Sequence, residues 1–581
     1  MGATGLMIMV LLLGATNCFA GKVLRYAEAG SPSTLDPVQS ATRYSNVIVT
    51  AVYDTLYEYK YLKRPYELKP SLAVALPKVS KDGLTYTILI KKGIKFIDDP
   101  AFKDGKGREL VAEDFIYSIK RHFDVKNRSQ GSWLWRGKIV GLDEWKDAGS
   151  DYNIPISGLK SVDSHTLEIR LKKAYPQIVY TLAMGFSAVV PHEAVAKYGQ
   201  ELSVHPVGTG PFKLQSFSTQ KISLVRNPSY RKDLFDLKTE GYSESEHGFT
   251  GIKALAGKKL PIVDRVEVSF IKQDTARWNS FTKGSEIQYT SIPSEAVDSA
   301  LASKSPITLN KKMADLYHLF PELEGGMVYS GFNMADSTFG YHKDPVRNKR
   351  NRDLRCAIRK AFNWPQRINR FYFGLGQPYA GVIPPFVEGY SDLGADSVTF
   401  DPRGAKNLLK NAGWTQKNLP ILEYSGVSSV KQKQFFEQFR GFLKGIGYPR
   451  SKLKLKQFAT FGDYNRAIKN RSLTFISLGW GLDYPDSENM LQLFYGPNGS
   501  PGSNSTNYSN PEFDALYEQA AVMGPGIERT KLFEKMSRIL VDDCVVISGF
   551  SRTKLLVWHK NAVMFPSVTI VGNIFKYVDV K

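Results

Sequence analysis

Residues 419–480 constrain the fold more than any other stretch of this chain. Ile421 and Leu422 open an apolar strand, and Phe435, Phe436, Phe439, Phe442, Leu443 and Ile446 then form one broad stripe at helical spacing. Gly445 and Gly447 stop that helix, because glycine adopts the left-handed conformation that ends a helical turn at little cost. Leu453 and Leu455 alternate with lysines as a second strand, a short helix follows around 464–468, and SLTFISLGW from Ser472 reads as a buried third strand. A β-α-β-α-β run with right-handed crossovers makes an open α/β sheet. Such sheets bind ligands outside the carboxyl ends of their strands, and here that end runs into Gly481-Leu482-Asp483-Tyr484-Pro485-Asp486.

The first half of the chain reads differently. LTYTILIKKGIKF, residues 84–96, breaks at Lys91-Lys92-Gly93 and resumes, which predicts a hairpin. A helix opens at Ala112-Glu113-Asp114 and carries Phe115, Ile119 and Phe123 on one face, and residues 166–171 alternate Leu167, Ile169 and Leu171 against Glu168 and Arg170. Residues 56–189 therefore form an α+β unit. Strands recur at 221–226 and 263–271, close to the turn VGTGPF at 207–212.

Residues 1–20, MGATGLMIMVLLLGATNCFA, hold an apolar run and no charged side chain, the layout of a signal peptide. The run is too short for the ~20 apolar residues a bilayer-crossing helix needs. Small residues at Cys18 and Ala20 predict cleavage before Gly21, and Ala15-Thr16-Asn17 is a poor lipoprotein box, so export without a lipid anchor is expected. Three cysteines in 581 residues exclude a disulfide-dense scaffold and a cysteine-rich zinc module. Cys356 and Cys544 either pair in an oxidising compartment or stay buried as thiols.

A net charge of +21 raises nucleic acid or an anionic membrane surface as partners. Yet basic residues are interleaved with acids, as in KDGKGRELVAEDF from Lys103, which describes a solvated surface and no nucleic-acid partner. Hydrolytic and metal motifs are missing too. The nearest histidines, His192 and His205, are thirteen positions apart, so no helical zinc pair exists, and no GxSxG elbow occurs. GTGPFK from Gly208 lacks the GK[ST] of a phosphate loop and places Pro211 where a donor N–H is needed. No catalytic residue, metal or cofactor is expected. Asp483 and Asp486 keep a two-carboxylate secreted hydrolase as an alternative, and the charge keeps a basic surface or nucleic-acid scaffold as another.

Several strings occur in a fixed order: SPSTLDP from Ser31, LKPSLAVALPKVSKDGLTYTILIKKGIKF from Leu68, AEDFIYSIKRHFD from Ala112, VGTGPFKL from Val207, NRDLRCAIRKAFN from Asn351, FDPRGAKNLLKNAGW from Phe400 and GWGLDYPDSENML from Gly479. Together they resemble the family 5 extracellular solute-binding proteins, the oligopeptide- and dipeptide-binding class that feeds ABC importers. The resemblance implies an α/β, two-lobed periplasmic-binding-protein-like fold with an additional α+β unit inserted in the first lobe. It further implies a monomeric periplasmic receptor, without catalysis or cofactor, that carries a peptide or other small solute to a membrane-embedded ABC permease. The expected boundaries are 21–55, 190–300 and 545–581 for the first lobe, 56–189 for the inserted unit and 301–544 for the second lobe, with two crossings near those ends.

By the same resemblance, Asp483 is the aspartate that pairs with a ligand's α-ammonium, with Trp480 as an apolar wall, Gly481 supplying backbone groups and Tyr484 beside them. Ser31, Pro32, Ser33 and Thr34 are expected to pair with an extended ligand through the backbone, as an added strand does. Trp133 and Trp135, in GSWLWRG, are the remaining candidates for the cleft; Arg352 and Arg355 read as a solvated helix face, with a ligand carboxylate as the alternative partner. The class also includes binders of nickel complexes, sugars, haem and opines, so the ligand's identity stays open. The chain departs from a typical member in its basicity and in an extra segment at 233–258.

Overall fold

The computed structural model of the protein describes residues 21–283, 286–385, 387–391, 393, 398–566 and 572–581. The expected signal segment, 1–20, lies outside the described residues. Among them, no helix is long and apolar enough to cross a membrane.

Two large apolar cores share no residue, and they define the two lobes. The first gathers side chains from Leu24 through Tyr289 and from the C-terminal segment Leu556–Val578; the second draws only on residues 327–550. In the first lobe, Val23–Glu28 runs parallel to Arg265–Phe270, which pairs antiparallel with Lys221–Arg226 and through it with Phe212–Phe217. Leu24, Val266, Val268, Ile222 and Leu224 supply the buried face, as the alternation of each strand requires. The turn at 207–212 is tight for a steric reason. A Cβ at Gly208 would lie 2.3 Å from the Val52 carbonyl oxygen, and one at Gly210 2.5 Å from the Val52 carbonyl carbon, so glycine lets the turn pack on the end of helix Arg43–Val52.

The inserted unit is a four-stranded antiparallel sheet, Lys78–Val79, Thr85–Leu89, Thr166–Arg170 and Leu159–Asp163 in that spatial order, with helix Ala112–Arg121 packed against it. Asp114 caps this helix by accepting the Val111 N–H at 2.9 Å while taking a bidentate bond from Arg108. The hairpin expected across 84–96 does not form. Thr85–Leu89 pairs with Thr166–Arg170, while after Gly93 the chain turns away, so that Leu110 donates to the Ile94 carbonyl and Phe96 to that of Arg108. Ile94 and Phe96 are drawn into the first core, which outweighs the local turn signal.

The second lobe carries a six-stranded sheet in the order Gln377–Tyr379, Val546–Ser551, Gly326–Phe332, Phe475–Gly481, Leu422–Val427, Leu453–Phe458. Its last three strands are parallel, with helices Val430–Gly445 and Phe461–Lys469 as the crossovers, as the phenylalanine stripe predicts. Cys356 and Cys544 are disulfide-bonded with Cα atoms 5.2 Å apart, resolving the two alternatives in favour of pairing.

The chain crosses between lobes at Glu324-Gly325 and at Arg552, later on both passes than expected near 301 and 544. Residues 301–323 stay with the first lobe because Leu301, Ile307, Leu309 and Tyr317 pack with Leu555 and Val557, whereas Val546–Ser551 is held inside the second lobe's sheet. The crossings lie side by side. Glu324 donates its N–H to the Arg552 carbonyl at 2.8 Å, and its carboxylate pairs with the Arg552 guanidinium and with Lys554.

Candidate functional site

Strand Phe475–Gly481 pairs along its whole length with Gly326–Phe332, and the chain then leaves the sheet with one more bond, from the Leu482 N–H to the Gly325 carbonyl at 2.9 Å. The loop carrying Asp483 is thus tied directly to a crossing residue. The next turn is organised by Asn489, whose side chain is fully buried. Its amide oxygen accepts from the Trp480 indole N–H at 3.1 Å and from the Asp483 N–H at 3.1 Å, while its amide nitrogen donates to the Asp483 carboxylate at 3.0 Å.

Asp483 is half-buried and has no Lys, Arg or His in salt-bridge range among the described residues. Burial pushes its carboxyl above the usual aspartate range, and the Asn489 hydrogen bond only partly opposes that. A carboxylate fixed in position, partly desolvated and unpaired is complementary to a cation. Gly481 beside it is exposed, with nothing within 4 Å of where a Cβ would stand. Trp480 and Gly481 also line a cavity of about 220 Å³ at the crossings, together with Glu324, Gly326, Phe550 and Arg552.

Asp486 behaves oppositely. Its carboxylate accepts a bidentate pair from Arg529, at 2.7 and 3.0 Å, and the Glu488 N–H at 2.8 Å, and both side chains of the pair are buried. The two acids of this loop therefore do not form an exposed pair.

Tyr484, expected beside the ligand, is buried at 2% exposure and its hydroxyl is committed elsewhere. It donates to Glu488 at 2.7 Å and lies 3.2 Å from the Tyr175 hydroxyl of the inserted unit, with its ring stacked on Tyr180. Trp135 likewise cannot face a cleft. It is fully buried in the first core, with its indole N–H on Thr181 Oγ1 at 3.2 Å and His122 against its ring, because a large apolar ring with one satisfied donor gains most by burial. Trp133 is 39% exposed.

At the other candidate edge, Ser31 and Ser33 are exposed, and neither donates its N–H to another backbone group among the described residues. Pro32 and Thr34 are buried, and Thr34 Oγ1 accepts the Asp36 N–H at 3.0 Å, so its side chain stabilises the turn. Arg355, expected on a solvated helix face, is also buried. It donates to the carbonyls of Phe339 and Asp543, the latter just past helix Ile527–Asp542, while Arg352 is exposed. Sequence reasoning missed Asn489, Glu488 and Tyr175. An Asn opening a helix in the string SENML was the one local cue, and the rest meet across the fold.

Three comparisons bear on this geometry. The model of the bacterial extracellular solute-binding proteins, family 5, matches residues 67–502. The dipeptide-binding protein of Escherichia coli is 27% identical over 553 residues, covering 93% of this chain and 90% of that protein, and the heme-binding protein A of Haemophilus influenzae is 25% identical over 532 residues, covering 89% and 84%. The structure of the Helicobacter pylori periplasmic binding protein DppA in complex with the peptide STSA superposes with a TM-score of 0.68 at 22% identity, covering 96% of this chain and 98% of that one.

Proposed function

Because the chain belongs to family 5 of the bacterial extracellular solute-binding proteins, we propose that it is the exported receptor of an ABC importer, capturing peptides with a free amino terminus between its lobes and handing them to a membrane permease. Residues 1–20 serve as the export signal, and the mature chain works as a periplasmic monomer without a lipid anchor. The observation that carries the ligand class is the half-buried, unpaired Asp483 carboxylate, oriented by Asn489. A ligand ammonium placed there receives a charge-assisted bond and neutralises a charge the protein holds at a cost. The relatives named for dipeptide and heme binding differ in ligand, and a porphyrin offers no ammonium for Asp483. The open Gly481 edge, and the N–H groups of Ser31 and Ser33, which reach no other backbone group among the described residues, suit an extended main chain, which gives affinity without requiring one side-chain sequence.

Calorimetric titration of the purified protein with short peptides tests this reading. Asp483→Asn is expected to weaken binding of free-amine peptides by roughly 30-fold or more, the ~2–5 kcal/mol of a broken buried charge pair, and to leave N-acetylated peptides nearly unaffected. Equal loss for both, or none for either, refutes the assignment.

A further inference from the structure

We propose that Tyr175, Gln177 and Tyr180 of the inserted unit form a latch on the second lobe, one that sets how far the lobes stand closed independently of what the ligand is. Tyr175 and Tyr180 meet the second lobe at the loop that follows Asp483, and Gln177 meets it at Ala521 and Arg529 of the helices behind that loop. The Tyr175 hydroxyl lies 3.2 Å from that of Tyr484, and the Tyr180 ring stacks on the Tyr484 ring with centroids 5.7 Å apart and planes 2° from parallel. The fully buried Gln177 amide lies between the Ala521 carbonyl and Arg529. Lys138 backs the contact from within the inserted unit. Its ammonium sits 4.3 Å from the Tyr175 ring centroid and donates to the Leu134 carbonyl at 2.9 Å.

The second lobe's half of the contact is built in advance. Glu488 is buried and accepts from Tyr484 on one oxygen and from Tyr517 on the other, both within its own lobe. Opening the lobes leaves those two bonds in place and breaks the tyrosine bond, the ring stack and the Gln177 contacts. None of these groups needs the ligand, and none belongs to the two covalent crossings, so the contact biases the open–closed equilibrium alone. A bias of this kind scales the apparent affinity for every ligand by the same factor, the fraction of molecules competent to close. Asp483, one residue before Tyr484, is expected to discriminate between ligands instead. The inference rests on the receptor reading above in its link to affinity.

The test uses the Tyr175→Phe/Tyr180→Leu double variant of the mature chain, with Gln177→Ala as a second variant. Small-angle scattering without ligand is expected to show a larger radius of gyration than the wild type for each. Titration with dialanine and trialanine is expected to show both dissociation constants raised by a common factor, about tenfold for the double variant, as one stack and one hydrogen bond imply. An unchanged radius of gyration in both variants overturns the latch, and so does an affinity loss confined to one peptide. If the wild type binds neither peptide, the ligand reading fails while the scattering arm still decides the latch.

Discussion

Asn489 grips Asp483 from both ends, accepting its backbone N–H and donating to its carboxylate, and the same amide oxygen takes the Trp480 indole N–H. One buried side chain therefore fixes the wall, the main chain and the charge of the candidate site together. Asn489→Ala is expected to cost about 1–3 kcal/mol of stability, the penalty of leaving buried donors unsatisfied. It should also weaken free-amine peptides roughly tenfold (about 1.4 kcal/mol), because the carboxylate loses its set orientation. Denaturant titration and calorimetry on the same variant read the two effects separately.

The burial that holds Asp483 above its ordinary pKa sets a sign for pH dependence. Between the unfolded and the raised folded value the native state binds more protons, so the unliganded protein loses stability as pH rises through that window. An ammonium ligand offsets this only once the carboxylate is ionised. Peptide affinity should therefore fall on acidification at a higher pH than an ordinary aspartate would give. Titrations from pH 7 downward check this, and Asp483→Asn should flatten the profile.

What the sequence made legible divides by distance along the chain. The stripe of Phe436, Phe439, Phe442 and Leu443 lies within one helix, and its period alone places it on the parallel strands beside it. Thr85–Leu89 finds its partner at Thr166–Arg170, and no local pattern names a strand that far away, so the sequence alone points to a hairpin. The same holds at the site. Asp483 stands in a recognisable loop, whereas the role of Tyr484 depends on Tyr175 and Tyr180, which only the fold brings to it. Trp135 shows the complement, since an aromatic in a glycine-bounded loop carries no signal of which side of the sheet covers it.

Asp486 and Arg529 anchor the base of the loop as a buried bidentate pair. Breaking such a pair from one side leaves an uncompensated charge, so Asp486→Asn is expected to destabilise by about 3–5 kcal/mol. Replacing both partners by apolar residues of similar size, as in Asp486→Leu/Arg529→Met, should recover much of that loss. Thermal unfolding of the single and double variants measures the difference, and equal destabilisation by both would show that the pair acts through more than its charge.

The Cys356–Cys544 bond closes a loop of 188 positions, joining helix Pro345–Lys360 to the end of helix Ile527–Asp542. A crosslink of that span acts chiefly on the unfolded chain by removing conformations it would otherwise sample, and for loops this long the effect is on the order of 2–5 kcal/mol. Cys356→Ser/Cys544→Ser should therefore lower the denaturation midpoint. It should also steepen the denaturant dependence, because the uncrosslinked chain exposes more surface when it unfolds. The wild type treated with a reductant under denaturing conditions should follow the variant's curve, and the variant should ignore the reductant. Peptide affinity is expected to stay unchanged, since both cysteines lie in the body of the second lobe and neither touches Asp483, Asn489 or Tyr484.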